Sequence, residues 1–162
     1  MKATAIEREC EIDESKLFGE AYLPDKWLEQ DVFGLDEFFL AQINLSNFSS
    51  ELLPKNGFLY FFIDAKNFKK SKMRARVRYF GEEPDACTPF NEDLFDDVEF
   101  ALEKSDLGDI YIFEVVDTDK TCLLALNCEY LPFDCDFENL YFMIDNDSLK
   151  RGDFTACELK FD

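Results

Sequence analysis

The sequence predicts a strand-dominated α+β fold with few short helices, in which two related β-rich repeats pack about a pseudo-twofold axis. Three observations carry this expectation. Nineteen Phe, six Tyr and one Trp among 162 residues supply rings that suit pleated, packed surfaces. Short apolar runs follow one another at close spacing, with turn residues between them. One run, Phe58-Leu59-Tyr60-Phe61-Phe62-Ile63-Asp64, returns as Asn139-Leu140-Tyr141-Phe142-Met143-Ile144-Asp145. Such a run is too short for a membrane span and reads as a strand buried on both faces.

The elements follow in order. Residues 5–13 alternate Ile6, Cys10 and Ile12 with Glu7, Glu9, Glu11 and Asp13, a half-exposed strand with Arg8 as the polar break on its inner side. Residues 15–24 read as a loop punctuated by Gly19 and Pro24, with large apolar residues that must pack down over something. Residues 37–45 form a strand with Gln42 and Asn44 on one parity and Ala41, Ile43 and Leu45 on the other. Asn56-Gly57 turns the chain into the aromatic strand. Asp64 then opens a polar piece, where it can cap a short helical turn. Met73, Ala75, Val77 and Tyr79 next alternate with Arg74, Arg76 and Arg78, which makes a half-buried strand with an arginine face. Residues 92–104 fit a helical face through Leu94, Phe95, Val98, Ala101 and Leu102, or a strand face through Val98, Phe100 and Leu102; periodicity favours the helix slightly. Residues 110–116 and 120–127 are strands, separated by Asp117-Thr118-Asp119.

Residues 58–80 laid over 139–161 without gaps share eight identities in 23 positions, among them Asp64/Asp145. Upstream, Leu40 to Asn44 faces Leu123 to Asn127. The last strand of the second copy falls one residue late, which places a one-residue insertion near Gly152. One domain over 1–162 with repeats at about 36–80 and 120–162 is the expected organisation.

Four stretches resemble the YwqG-like family, DUF1963, a domain of unknown function. They are Ser15-Lys16-Leu17-Phe18-Gly19 with Tyr22-Leu23-Pro24, then Phe39 to Leu45, then Leu53 to Ile63, and finally Leu140 to Ile144 with Leu149 to Phe154. The resemblance implies an α+β fold with internal duplication, and brings neither an activity nor catalytic residues with it.

Charge narrows the partners. Seventeen bases against 36 acids leave −19, which repels nucleic acid and anionic membrane and fits recognition of a basic protein as well as plain solubility. Between Ala65 and Gly81 lie seven bases and no acid, and from Glu82 to Glu103 nine acids and no base. The arginines at 74, 76 and 78 therefore either pair with that acidic segment or form a patch for an anion or an acidic partner. Gln42, Asn44 and Asn127 either satisfy backbone between the repeats or face a ligand pocket at their junction. Asp64 and Asp145 are either a carboxylate pair for acid–base work or turn caps, with capping favoured. Without histidine, without a glycine-rich phosphate loop and without zinc spacing in its six cysteines, the chain suggests no catalytic set, cofactor or metal. Residues 1–7 lack the apolar core of a signal peptide, and the cysteines read as reduced thiols in a cytoplasmic protein. A non-catalytic interaction module, possible as an acidic immunity-type protein for a basic toxin, is the first functional expectation; a small-ligand or enzymatic pocket at the repeat junction is the alternative.

Overall fold

The computed structural model describes residues 1–84 and 98–162, with the backbone alone at 86–87. The first strands are β1 (Lys2–Glu7), β2 (Lys16–Phe18) and β3 (Tyr22–Leu23), followed by helix α1 (Asp25–Glu29). Long strands β4 (Glu37–Asn44), β5 (Phe58–Ala65) and β6 (Met73–Phe80) come next, then the short β7 (Ala86–Cys87). The remainder is β8 (Glu99–Lys104), β9 (Ile110–Asp117), β10 (Lys120–Asn127), β11 (Asn139–Asp145), α2 (Asn146–Lys150) and β12 (Glu158–Phe161).

Ten strands form one antiparallel sheet in the order β12-β11-β10-β9-β1-β8-β2-β4-β5-β6. The end strands β6 and β12 approach each other without pairing, so the sheet curls into a nearly closed barrel. Its interior is the main core, which β5 enters with Leu59, Phe61 and Ile63, and β11 with Leu140, Phe142 and Ile144. Phe61 and Phe142, both fully buried, meet edge-on with ring centres 5.0 Å apart. Aromatic rings favour this geometry because the positive edge of one faces the negative face of the other.

Only the first aromatic strand is buried on both faces. Phe58, Tyr60 and Phe62 turn outward into a second core, where Trp27 and Phe33 cover them. Trp27 stacks edgewise on Tyr60 at 5.3 Å and on Phe80 at 5.8 Å, and Phe33 lies 5.2 Å from Phe62. The outward residues of β11, Asn139, Tyr141 and Met143, are half-buried, because β9 and β10 join through a two-residue turn that leaves no cover of this kind. A local run of apolar residues does not disclose whether a distant segment will fold over it.

Other expectations change at their boundaries. The strand expected over 5–13 is β1, ending at Glu7; residues 8–14 are a turn held by the Arg8–Glu14 ion pair at 2.6 Å. The loop expected over 15–24 contains β2 and β3, and Leu17, Phe18 and Leu23 are fully buried in it. Residues 99–104 form a strand, with Ala101 and Leu102 buried, because β1 and β2 flank it on both sides; residues 92–97 lie outside the described part. Asp64 caps no helix: the polar piece folds as a 3-10 turn at Lys70–Lys72, too far along the chain for its carboxylate to cap.

The registers of the two halves agree. Gln42 faces Tyr60 as Ala125 faces Tyr141, and Asn44 faces Phe58 as Asn127 faces Asn139. A bulge falls at Leu40 in β4 and at Leu123 in β10. In the third strands, Leu59 faces Tyr79 whereas Leu140 faces Phe161, one residue later. Between β11 and β12, Gly152 at φ 69° closes α2 and Asp153 N–H donates to Ser148 O at 2.9 Å. That left-handed turn is costly for any residue with a side chain.

Phe61→Leu and Phe142→Leu are each expected to cost about 1–3 kcal/mol. Combined, they should fall short of additivity by about 0.5–1.5 kcal/mol, the coupling of an aromatic pair, which urea melts of the double-mutant cycle would read.

Candidate functional site

The buried polar groups nearest the expected site residues sit where β2 crosses β4 and β8. Gln42 is fully buried, and its amide nitrogen donates to Glu14 O at 2.9 Å and Ile12 O at 3.3 Å. Its amide oxygen accepts from Tyr22 N–H at 3.3 Å. Asn44 donates to Asp13 O at 2.7 Å and accepts from Ser46 N–H at 2.9 Å. These two amides hold the 12–15 turn against β4. Asn127 lies in the other half, where it donates to the Asn139 side chain at 3.2 Å and accepts from Glu129 N–H at 2.9 Å. Each of the three amides thus satisfies local chain.

Lys16 was not among the expected site residues, yet it is the most constrained charge in this region. Its side chain is fully buried; the ammonium donates to the Glu99 carboxylate and to Glu20 O at 2.5 Å, and sits 4.5 Å from the centre of the Tyr22 ring. Gly19, at φ 71°, makes room: a Cβ there would lie 3.0 Å from the Glu99 carboxyl group. Neighbouring Leu17 and Phe18 do not mark Lys16 as buried, since a lysine beside apolar residues ordinarily reaches water; the seal comes from Glu99, distant in the chain. Beside this cluster the Cys10 thiol is pushed up to about 11, first by burial and then by the Glu99 charge, against the opposing pull of Lys16.

The arginine face is assembled on β6, and its partners stand on β4 and β5. Arg78 pairs with the buried Glu37 and lies between the rings of Phe33 and Phe62, 4.6 and 4.9 Å from their centres. Arg76 pairs with Asp64 at 3.2 Å, and Arg74 donates to Met73 O at 2.9 Å. Among the described residues Arg76 and Arg78 thus pair with neighbouring strands, since antiparallel register sets Asp64 opposite Arg74 and one step from Arg76; most of the acidic 82–103 segment lies outside the described residues. Asp145 accepts from Ser148 N–H at 2.8 Å and Oγ at 2.6 Å, which caps α2 and holds its carboxyl below the ordinary value. Asp64 and Asp145 thus serve separate, local roles.

Beside the arginine strand lies a groove of about 970 Å³, where the barrel fails to close. Val77, Arg78 and Tyr79 of β6 form its floor, and Trp27, Leu53, Leu149 and Phe154 belong to its walls. Gln42, Asn44 and Asn127 take no part in its lining. Among the described residues no three His, Cys, Asp or Glu side chains gather as a metal centre requires.

The fold and this region define a strand-rich, nearly closed antiparallel barrel with an arginine-bearing edge. The chain belongs to the family described as a domain of unknown function, DUF1963, whose family model matches residues 15–129. That span opens on Ser15-Lys16, at the buried ammonium, and ends two residues beyond Asn127. No curated protein matches the chain.

Lys16→Met should cost about 3–5 kcal/mol because it leaves the Glu99 carboxylate without its partner; adding Glu99→Gln should recover part of the loss, read as urea midpoints. Thiol titration gives a second check. Burial pushes Cys122 and Cys157 up to about 12. Since their folded values exceed the ordinary thiol value of about 8.5, their contribution to stability is complete below that pH. It should decline as pH rises from there toward about 12, which urea melts against pH would show.

Proposed function

We propose that this chain is a non-catalytic interaction module of the cytoplasm whose acidic surface recognises a basic protein, in the manner of an immunity protein for a basic toxin. The observation that carries the reading is the formal charge of −19 on 162 residues. A charge of that size steers a basic partner into encounter and makes association fast and salt-sensitive. The roles of the polar groups support it too: Lys16, Gln42, Asn44 and Asp145 hold chain segments together. The five described cysteines are thiols, as in a reducing compartment. No described helix is long and apolar enough to cross a membrane.

We further propose that the barrel is a tandem duplication of a five-strand unit, larger than the repeats evident in sequence. On this reading β1-β2-β4-β5-β6 corresponds to β8-β9-β10-β11-β12. Several independent matches support it. Lys16 faces Gln42 as Tyr111 faces Ala125, and Leu17 faces Ala41 as Ile112 faces Leu124. The next residues, Phe18 and Phe113, take left-handed backbone at φ 56° and 52°. Ala101 faces Lys16 as Lys2 faces Tyr111, so each unit lends its first strand to the other. The pseudo-twofold axis then passes through the Thr4–Glu103 pair between β1 and β8.

Affinity capture at low salt should recover a basic protein that is released as salt rises past the range where exposed charges are screened, about 0.1–0.2 M. If only acidic or neutral proteins are retained, the basic-partner reading fails.

A further inference from the structure

We propose that the open end of the β6 edge, from Val77 to Phe80, is a docking site for a short extended peptide of a partner protein that alternates acidic and apolar residues, and that joins the sheet as an added strand. The site is separate from the acidic surface assigned to a basic partner.

The edge itself comes first. β6 is the last strand of the sheet order, eight residues long, and among the described residues its ladder runs to β5 alone. β12 and the Phe154–Ala156 turn lie too close to the first part of this edge to admit another strand, but from Val77 to Phe80 it offers main-chain donors and acceptors to an extended chain that reaches it. β12 approaches it near Ala75 and Arg76, where Leu159 and Lys160 line the same crevice. Toward Tyr79 the two walls separate into the 970 Å³ groove. The crevice, an intervening pocket of about 260 Å³ beside Phe154 and the groove share lining residues, so they run on continuously along β6.

The two faces of β6 then specify the occupant. Ala75 and Val77 are buried toward the barrel interior, while Arg74 and Arg76 are exposed on the outer face. A strand added beside β6 places its alternate side chains on the same two faces. Its inward residues would meet Val77, Tyr79, Leu149 and Phe154, which demand apolar groups. Its outward residues would stand beside the arginines, which favour carboxylates.

The charge of the seam agrees. Arg74, Arg76 and Arg78 lie along β6, Lys150 and Arg151 on the facing wall, and Lys70 and Lys160 at the far end. Glu51, Asp153 and Glu158 share the lining, and Asp64 and Glu37 pair with two of the arginines. Asp136 accepts from Lys70 N–H at 2.9 Å, so among the described residues seven bases meet six acids here, in a chain whose acids outnumber its bases 36 to 17. This seam reverses the sign of the molecule, so an acidic segment repelled elsewhere is favoured here.

Isothermal titration of the whole chain at low salt with a short end-capped peptide alternating Glu and Val, about five residues long to match the open end of β6, tests the proposal. Saturable binding is expected, with none for the peptide carrying Lys in place of Glu. Methylation of alternate peptide amide nitrogens along either edge should abolish binding from the edge that pairs with β6. Lys150→Gln with Arg151→Gln alters two exposed side chains of the groove wall; this double variant should remain cooperatively folded and weaken binding at least about tenfold. The proposal is overturned if the Glu–Val peptide does not bind, if both methylated series bind unchanged, or if the folded double variant binds as wild type. Displacement by free glutamate at equal concentration would identify a small carboxylate site in place of strand addition. None of these outcomes depends on whether a basic protein is captured.

Discussion

The barrel depends on filling its interior from opposite walls, and the contact between Phe61 and Phe142 is where the walls meet. A curved sheet of ten strands encloses a space that small aliphatic side chains alone would leave underfilled, and empty volume forfeits dispersion contacts. Two rings at corresponding places on β5 and β11 close that gap. Leu59, Ile63, Leu140 and Ile144 pack around them, fully or almost fully buried. The inward parity of both strands is thereby settled, because a slip of one residue would drive Tyr60 or Tyr141 into the same space.

With parity settled, the outer faces diverge. Around β5 the chain between β3 and β4 folds back, with Trp27 and Phe33 over Tyr60 and Phe62, and Arg78 inserts between rings and bonds Glu37. Among the described residues no such segment covers the outer face of β11. The two aromatic strands thus carry different outer surfaces, one sealed and one half-buried, although their inward faces are alike. The unpaired edges lie where β6 and β12 meet, which is also where positive charge collects in an otherwise acidic molecule.

Much of this was legible in local pattern. The strand at Glu37–Asn44 and the aromatic strands appear at nearly their expected bounds, because alternation and continuous apolar runs encode burial directly. Residues 99–104 were harder: Val98, Ala101 and Leu102 satisfy a helical period as well as a strand, and only flanking β1 and β2 decide between them. Lys16 stood inside a motif stretch, but its partner Glu99 lies 83 residues away, so nothing nearby marked it as a buried charge. The amides of Gln42, Asn44 and Asn127 were legible as buried or near-buried polar groups, while the backbone they serve was not.

The sequence by itself determined where the long strands run, which of their side chains face inward, that the aromatic run recurs, and that the chain is strongly acidic. These follow from residue type and spacing over a few positions. The tertiary structure alone decided which strands are neighbours, that the sheet curls until β6 and β12 nearly meet, that Glu37 and Asp64 take the arginines, and that Lys16 is sealed beneath Glu99. Those outcomes rest on register between segments far apart in the chain, and such register is set by how the whole core fills, a constraint that no short stretch contains.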